Sequence, residues 1–218
     1  IKQITADFDN IQLDETEEKP RIGIVGEILA KYHPTANNHL EKVLYEEGAE
    51  VVMPDLMDFF MYMAYDDVIS YKMLAGKWLD KFKSEISIKL MEFYRRPMRK
   101  ALLNSKRFSA PRTIEQIAAL TKGHVSLGNL AGEGWFLTGE MLKLLADGVN
   151  NIICLQPFGC LPNHITGKGM IRELIRSHKG ANIVAIDCDA GVSEVNQLNR
   201  IKLMLSVAKE RLKNDVTA

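Results

Sequence analysis

Short runs of apolar residues alternate along this chain with segments in which apolar residues recur every three or four positions. The first run covers residues 22–26 and opens after Pro20. A short continuous apolar run is typical of a strand buried on both faces of a parallel sheet. The other such runs are residues 49–53, 151–155 and 182–186. The pattern therefore predicts about four parallel strands.

Helices are predicted between these strands. Asn38 is a candidate cap for the first helix, which ends at Gly48. The other predicted helices cover residues 132–147, residues 164–178 and the chain from a cap at Ser193 onward. Strands that alternate with helices favour a doubly wound α/β fold. We expect a flavodoxin-like layout, with helices on both faces of the sheet.

Residues 56–121 interrupt this rhythm with a long, mostly helical insertion between the second and third strands. An apolar stripe at helical spacing runs through it, formed by Trp78, Phe82, Ile86, Leu90 and Phe93. Packing inside the insertion explains the stripe, and a binding groove is the alternative. Pro97 and Pro111 are expected to bend or end helices.

Residues 1–20 are polar and acidic, and we interpret them as a leader or linker without a packed element. Residues 21–218 then form a single α/β domain that carries the insertion. The start of the chain has neither an initiator Met nor the basic and apolar regions of a signal peptide. The expectation is a trimmed chain or a piece of a larger protein.

Charge and cysteine content narrow the function classes. Lys+Arg and Asp+Glu both number 28, so the basic excess of a nucleic-acid-binding protein is missing. The one basic cluster, residues 95–100, is short and is explained by a solvated helix end. No apolar run approaches the roughly 20 residues of a membrane span. Three cysteines are too few and too scattered for a disulfide scaffold, which favours the cytoplasm.

Ligand sites in open parallel sheets form where the strands end. Three predicted loops satisfy this rule: residues 26–35, 156–163 and 187–193. Glu27, His33 and His164 lie in or beside them and are the catalytic candidates. A carboxylate in solvent and helix-capping histidines are the alternatives. Gln156 and Asn163 either orient a bound group or hold the loop around its two prolines.

Cys160 lies between a predicted strand and a predicted helix. Backbone N–H groups and the helix dipole stabilise a thiolate at such a position, and thiolates bind soft metals and iron–sulfur clusters. The alternative is a half-buried cysteine without a function. Cys154 is expected in the core, and Cys188 follows a strand. The spacing of Cys154 and Cys160 differs from that of zinc sites.

Known nucleotide and cofactor motifs do not fit. A Walker A motif around Lys168 would place its first glycine at Pro162, and Gly169 replaces the Ser/Thr. The same Pro162 occupies the aspartate position of the cobalamin-binding signature. Gly23 and Gly26 lack the spacing of a dinucleotide fingerprint.

Five blocks of the chain resemble a known family: residues 21–28, 33–41, 132–137, 154–164 and 194–200. They are similar to activators (CoA-substrate-specific activases) of 2-hydroxyacyl-CoA dehydratases. More narrowly, they resemble the carboxy-terminal module of the large multidomain members, which is itself similar to the dehydratase subunits. The resemblance extends from about residue 20 to residue 208. Within these blocks, Gln156, Asn163 and Glu133 are the candidate substrate-binding residues.

The resemblance implies an anaerobic bacterial protein that handles low-potential electrons. In such systems an ATP-hydrolysing activase drives an electron into an iron–sulfur cluster, and cysteines from separate domains hold that cluster. Carried over, Cys160 is the candidate metal ligand, and the remaining ligands come from elsewhere. The implied partners are upstream domains of the same polypeptide or an ATP-dependent activase, with an acyl-CoA as a candidate substrate.

The sequence therefore leaves two functions open. The chain is either a module of an iron–sulfur redox protein or a non-enzymatic docking domain whose helical insertion makes the contacts. The fold alone does not choose between them.

Overall fold

The computed structural model describes residues 1–13 and 18–216, the last two as backbone only. Residues 14–17 of the predicted leader lie outside the described residues. The chain divides into two compact units. The helical unit contains Ile1–Glu18 and Asp55–Gln116, and the sheet unit contains Lys19–Pro54 and Ile117–Ala218.

The sheet unit contains a parallel sheet of four strands, as the apolar runs predicted. They are β1 (Arg21–Gly26), β2 (Glu50–Val52), β3 (Asn151–Gln156) and β4 (Asn182–Asp187), in the order β2-β1-β3-β4. Every pair is parallel, with Ile22 opposite Val51 and Cys154 opposite Ala185 among the partners. The predicted flavodoxin-like fold is confirmed.

The α-helices of the described residues follow in chain order. They are α1 (Lys2–Asp9), α2 (Ile28–Tyr32), α3 (Leu40–Glu46), α4 (Leu56–Lys72), α5 (Trp78–Leu103), α6 (Ile114–Thr121), α7 (Gly134–Ala146), α8 (Ile171–Ser177) and α9 (Glu194–Val216). Among the described residues, none of these helices has the length and apolarity that crossing a membrane requires.

Alternating strand residues form a core on each face of the sheet. Ile24 and Ile153 pack on one face in a cluster with residues of α3 and α9. Val25 and Cys154 face the other side, with residues of α7 and α8. The central strands β1 and β3 are therefore buried on both faces, which explains their continuous apolar runs.

The segment after β1 differs from the prediction of a loop. It contains α2, which begins where the Glu27 carboxylate accepts a hydrogen bond from the N–H of Ala30 at 2.8 Å. The N-cap position of α3 is His39, and the N–H of Leu40 donates to Asn37 Oδ1 at 3.1 Å. The expected cap, Asn38, has a φ of 53° and instead donates to the Gln197 side chain.

The predicted helix 164–178 is interrupted. A π-helical turn (Asn163–Gly167) and a 3₁₀ turn (Lys168–Met170) precede α8. A Cβ on Gly167 would lie 3.3 Å from Cys154 Sγ, so glycine lets the turn approach the sheet closely. A Cβ on Gly169 would lie 2.9 Å from the carbonyl oxygen of His164. Tertiary contact with β3 therefore decides the local helix geometry.

Helices α1, α4 and α5 belong to the helical unit. The long helix α5 continues through Pro97, so this proline does not end it. Arg95 is buried and bonds the buried carboxylate of Asp58 in α4 at 3.2 Å. The apolar stripe predicted to pack inside the insertion is instead exposed. The buried residues of α5 are others, namely Ser84, Ile88, Arg95 and Ala101.

The polar segment interpreted as a leader or linker contains helix α1. None of its residues is fully buried. Asp9 accepts a hydrogen bond from the Ser105 hydroxyl at 2.7 Å, which joins the end of α1 to the segment after α5. This contact links residues about one hundred positions apart, which local composition does not reveal.

Candidate functional site

The carboxyl ends of three neighbouring strands lie side by side. The N–H of Glu27, just past β1, donates to the Leu155 carbonyl of β3 at 3.0 Å. The N–H of Cys188, just past β4, donates to the Gln156 carbonyl at 2.7 Å. The three loops predicted to carry the chemistry therefore leave the sheet at one edge, as expected of a parallel sheet.

Cys160 is half-buried in the loop after β3. Its Sγ accepts a hydrogen bond from Asn163 Nδ2 at 3.1 Å, and Asn163 is fully buried. The carbonyl of Cys160 accepts from the N–H of His164 at 3.0 Å, so the helical turn starts directly after the cysteine. This is the predicted setting, with a thiol at the junction of a strand and a helical segment.

Exposed apolar side chains surround Cys160 in sequence. Phe158 is 79% exposed, Leu161 66% and Ile165 51%. We call these three residues the cysteine rim. Cys160 is therefore a half-buried thiol with exposed apolar side chains on both sides of it in the sequence.

His164 and Phe158 stabilise the shape of this loop. The His164 Nε2 accepts from the N–H of Gly159 at 3.1 Å. The rings of His164 and Phe158 meet edge to face, with centroids 6.2 Å apart. The Phe158 N–H also donates to the Asp189 carboxylate at 2.6 Å. His164 thus belongs to the Cys160 loop, where it orders the backbone in front of the thiol.

The other two cysteines are poor thiolate donors. Burial raises the pKa of Cys154 to about 12, and the nearby Glu140 carboxylate adds to this effect. Burial likewise raises the pKa of Cys188 to about 11. In the described part of the chain, no three His, Cys, Asp or Glu side chains are arranged to hold one metal ion. Among the described residues, the half-buried thiols of Cys160 and Cys188 therefore belong to no such group of ligands.

Gln156 and Asn163 are both fully buried at this edge. Gln156 Nε2 donates to Asp187 Oδ1 at 2.5 Å, and Lys168 Nζ lies 3.8 Å from the same oxygen. Gln156 Oε1 and Asn163 Oδ1 are buried and have no hydrogen-bond donor among the described residues. Leaving a buried acceptor unpaired costs about 1–3 kcal/mol. A bound group with hydrogen-bond donors would relieve that cost.

The remaining candidates predicted from the sequence are Glu27, Glu133 and His33. The carboxylates of Glu27 and Glu133 both bond backbone N–H groups at the start of α2, with Glu133 Oε1 accepting from Ile28 at 3.2 Å. These contacts explain both residues as structural acceptors. His33 lies beyond the end of α2, is exposed, and makes no side-chain hydrogen bond to a described residue. The structure does not join His33 to the Cys160 loop.

Residues at the start of α7 contact both the segment after β1 and the turn after β3. Glu133 contacts the segment after β1, while the carbonyl of the next residue, Gly134, accepts from the Thr166 hydroxyl at 2.6 Å. Gly132 has a φ of +58°, and a Cβ there would meet Pro162 at 3.0 Å. The glycine-flanked motif around Glu133 therefore fits between the loops that follow β1 and β3.

The sequence analysis did not identify a buried ion pair between α2 and α7. Lys31 Nζ and Glu140 Oε1 lie 2.6 Å apart, and the two side chains are 3% and 2% exposed. The signal was a charged residue, Glu140, inside the mostly apolar helix α7, which also contains Lys143. Its partner could not be identified, because 109 positions separate the two residues.

Comparison with known proteins adds no relative. No protein-family model, curated protein or solved structure matches this chain.

Proposed function

We propose that this chain is a module of an iron–sulfur protein related to the 2-hydroxyacyl-CoA dehydratases and their activators. In this proposal Cys160 supplies one ligand to a cluster whose other ligands come from another domain or subunit. The sequence blocks around residues 21–41, 132–137 and 154–164 support the relationship. The observation that carries the proposal is the half-buried thiol of Cys160 within the exposed cysteine rim.

The donor chemistry fits one ligand of a shared cluster. Protein-bound iron–sulfur clusters are held mainly by cysteine thiolates. Cys154 and Cys188 have raised pKa values, so each resists the ionisation that ligation requires. Cys160 is more accessible than Cys154 and already accepts a hydrogen bond from Asn163. The chain therefore fits a cluster only together with ligands from a partner.

A bound cluster would supply low-potential one-electron transfer, either for dehydration of a 2-hydroxyacyl-CoA or for another demanding reduction. The chain's own residues would hold one thiolate, keep it hydrogen-bonded and exclude water through the cysteine rim. Gln156 and Asn163 have buried acceptors free to receive donors from a substrate. Upstream domains or an ATP-dependent activase would cover the rim, in the cytoplasm of an anaerobic bacterium.

The test uses the natural full-length polypeptide, isolated and reconstituted with iron and sulfide without oxygen. Wild type is compared with Cys160→Ser and with the matched control Cys188→Ser. We expect the Cys160 variant to lose cluster absorption and most of its iron and sulfide, while the control keeps them. Equal cluster content in all three proteins would remove Cys160 as a ligand.

The second candidate is a docking domain without redox chemistry. The cysteine rim favours the docking domain because an exposed apolar surface binds a partner without needing a metal. The variant Leu161→Glu separates the two functions when its effect is compared with those of Cys160→Ser and Cys188→Ser. If this change breaks partner association while Cys160→Ser leaves cluster content intact, the docking function is supported.

A further inference from the structure

Two histidine rings lie side by side in the sheet unit, away from the Cys160 loop in the sequence. The rings of His124 and His178 have centroids 5.6 Å apart, and their planes are tilted by 36°. His124 follows α6 and His178 ends α8, so the fold brings together residues that are distant in the chain. Both side chains are half-buried. We call these two residues the histidine pair.

The main chain holds both members of the histidine pair in place. The N–H of His124 donates to the Thr121 carbonyl at 3.1 Å, and the N–H of His178 donates to the Leu174 carbonyl at 2.9 Å. Each ring is therefore attached to a hydrogen-bonded turn at the end of a helix. Because the two rings meet only in the folded sheet unit, a ligand that needs both would bind the folded state alone.

The contacts of His178 determine which of its ring nitrogens is free. Its Nδ1 lies 3.0 Å from the Ser177 hydroxyl oxygen and 3.3 Å from the Leu174 carbonyl oxygen. A carbonyl only accepts, and the Ser177 hydroxyl donates to the Glu173 carbonyl at 2.8 Å, so a proton on Nδ1 satisfies both contacts. The neutral ring then has its lone pair on Nε2, which makes no hydrogen bond to a described residue. Metal-binding histidines are oriented by such a bond from the other ring nitrogen.

His124 supplies a second imidazole at the distance that one metal ion requires. Its side chain makes no hydrogen bond or ion pair with a described residue. Zn²⁺ binds a histidine nitrogen at about 2.0–2.1 Å, and that nitrogen lies about 1.2 Å from the ring centroid. Two imidazoles on one ion therefore have centroids about 5–6 Å apart at bond angles near tetrahedral. The observed separation of 5.6 Å lies in this range.

We propose that the histidine pair binds one divalent transition-metal ion of the Zn²⁺ type, through Nε2 of His178 and one ring nitrogen of His124. Imidazole suits Zn²⁺, Ni²⁺ and Cu²⁺, whereas Mg²⁺ and Ca²⁺ prefer oxygen ligands. Among the described residues, no three His, Cys, Asp or Glu side chains form a metal-holding group, so water completes the coordination. The proposal does not depend on the role of Cys160.

The neighbouring charges set a moderate affinity. Lys122 and Lys179 are close to the histidine pair in sequence, but both are exposed, so salt screens their ammonium groups. The guanidinium of Arg176 is paired with Glu173 at 2.8 Å. Both rings follow the last turn of a helix, where carbonyl groups carry partial negative charge and favour a cation. Protons compete with the metal for imidazole nitrogens, so the affinity should fall as the pH is lowered.

The first test measures Zn²⁺ and Ni²⁺ binding to the full chain by isothermal titration calorimetry. A Cys160→Ser, Cys188→Ser background removes the half-buried thiols as competing ligands. We expect one ion per chain and no binding of Mg²⁺. His124→Ala and His178→Ala should each weaken binding at least about 10-fold, since loss of an outer hydrogen-bond partner alone costs a metal site about that much. The control His33→Ala, at an exposed histidine, should leave binding unchanged. No binding, or equal weakening by the control, would overturn the proposal.

The second test observes the ring nitrogens and needs no substitution in the histidine pair. Two-bond ¹H–¹⁵N NMR spectra distinguish the two neutral tautomers of histidine. In the same cysteine-free surface background, we expect His178 to carry its proton on Nδ1. Added Zn²⁺ should shift Nε2 of His178 and one nitrogen of His124 at the same metal concentration, and should leave His33 unshifted. A proton on Nε2 of His178, or a shift confined to one ring of the pair, would contradict binding by both.

Discussion

The replacement Glu140→Leu would leave the ammonium group of Lys31 buried without its carboxylate. The two atoms are 2.6 Å apart and both side chains are almost completely buried, so water does not replace the lost partner. Removing one member of a buried ion pair costs about 3–5 kcal/mol. That is a large part of the roughly 5–15 kcal/mol that stabilises a typical domain. We therefore expect a strongly destabilised sheet unit.

The double variant Lys31→Met, Glu140→Leu gives the contrasting result. It removes both charges and keeps similar side-chain volume, and such replacements of buried pairs are often neutral or stabilising. We expect its stability to lie within about 1 kcal/mol of wild type, far above that of Glu140→Leu. The matched surface control is Glu46→Leu in the exposed Lys42–Glu46 pair, which should change stability by less than about 1 kcal/mol.

Urea unfolding followed by tryptophan fluorescence measures these differences. The chain has two tryptophans. Trp135 is fully buried in α7, the helix of Glu140, whereas Trp78 is 65% exposed in α5. A Trp78→Phe background therefore restricts the signal to the sheet unit. The reasoning is refuted if Glu140→Leu costs less than about 1 kcal/mol, or if the double variant is as unstable as the single one.

Two further predictions test the sheet edge and the thiols. Gly26→Ala should destabilise the chain by at least about 2 kcal/mol in urea unfolding, because its φ is +132° and a Cβ would lie 2.0 Å from the Leu155 carbonyl oxygen; wild-type stability would contradict this reading. Folding raises the pKa of Cys188 to about 11 and of Cys154 to about 12, so the folded state retains protons that the unfolded state loses from about pH 8.5 upward. The urea midpoint should therefore fall as the pH rises from 8 to 10.5, and iodoacetamide at pH 8 should label native Cys160 first, as mass spectrometry of the peptides can show. Equal labelling of all three cysteines, or a midpoint that rises with pH, would contradict the assignment.

The strands and the position of the candidate site were evident in the sequence because both are local properties. A strand buried on both faces needs consecutive apolar residues, and the runs around Ile24, Ile153 and Ile186 supply them. A loop that follows such a strand lies at the carboxyl edge of a parallel sheet wherever the strand is placed. The order of apolar runs along the chain was therefore enough to assign Cys160 to that edge.

The exceptions depend on contacts between distant segments. The placement of Glu133 depends on such a contact, because its carboxylate accepts a hydrogen bond from the N–H of Ile28, 105 positions earlier in the chain. Gly167 interrupts a helical pattern because the turn approaches Cys154, which is thirteen positions earlier in the chain. The pairing of Lys31 with Glu140 spans 109 positions, and periodicity contains no information about such partners.

Helix α5 shows both kinds of information in one element. Its sequence determined an amphipathic helix, with an apolar stripe at helical spacing. Only the tertiary structure decided which side of that helix is covered, by burying Ile88 and Arg95 and leaving the stripe exposed. Hydrophobic periodicity reports that a face avoids water, since transfer free energy depends on the area removed from solvent. It does not report which surface covers that face, because the hydrophobic effect has no direction.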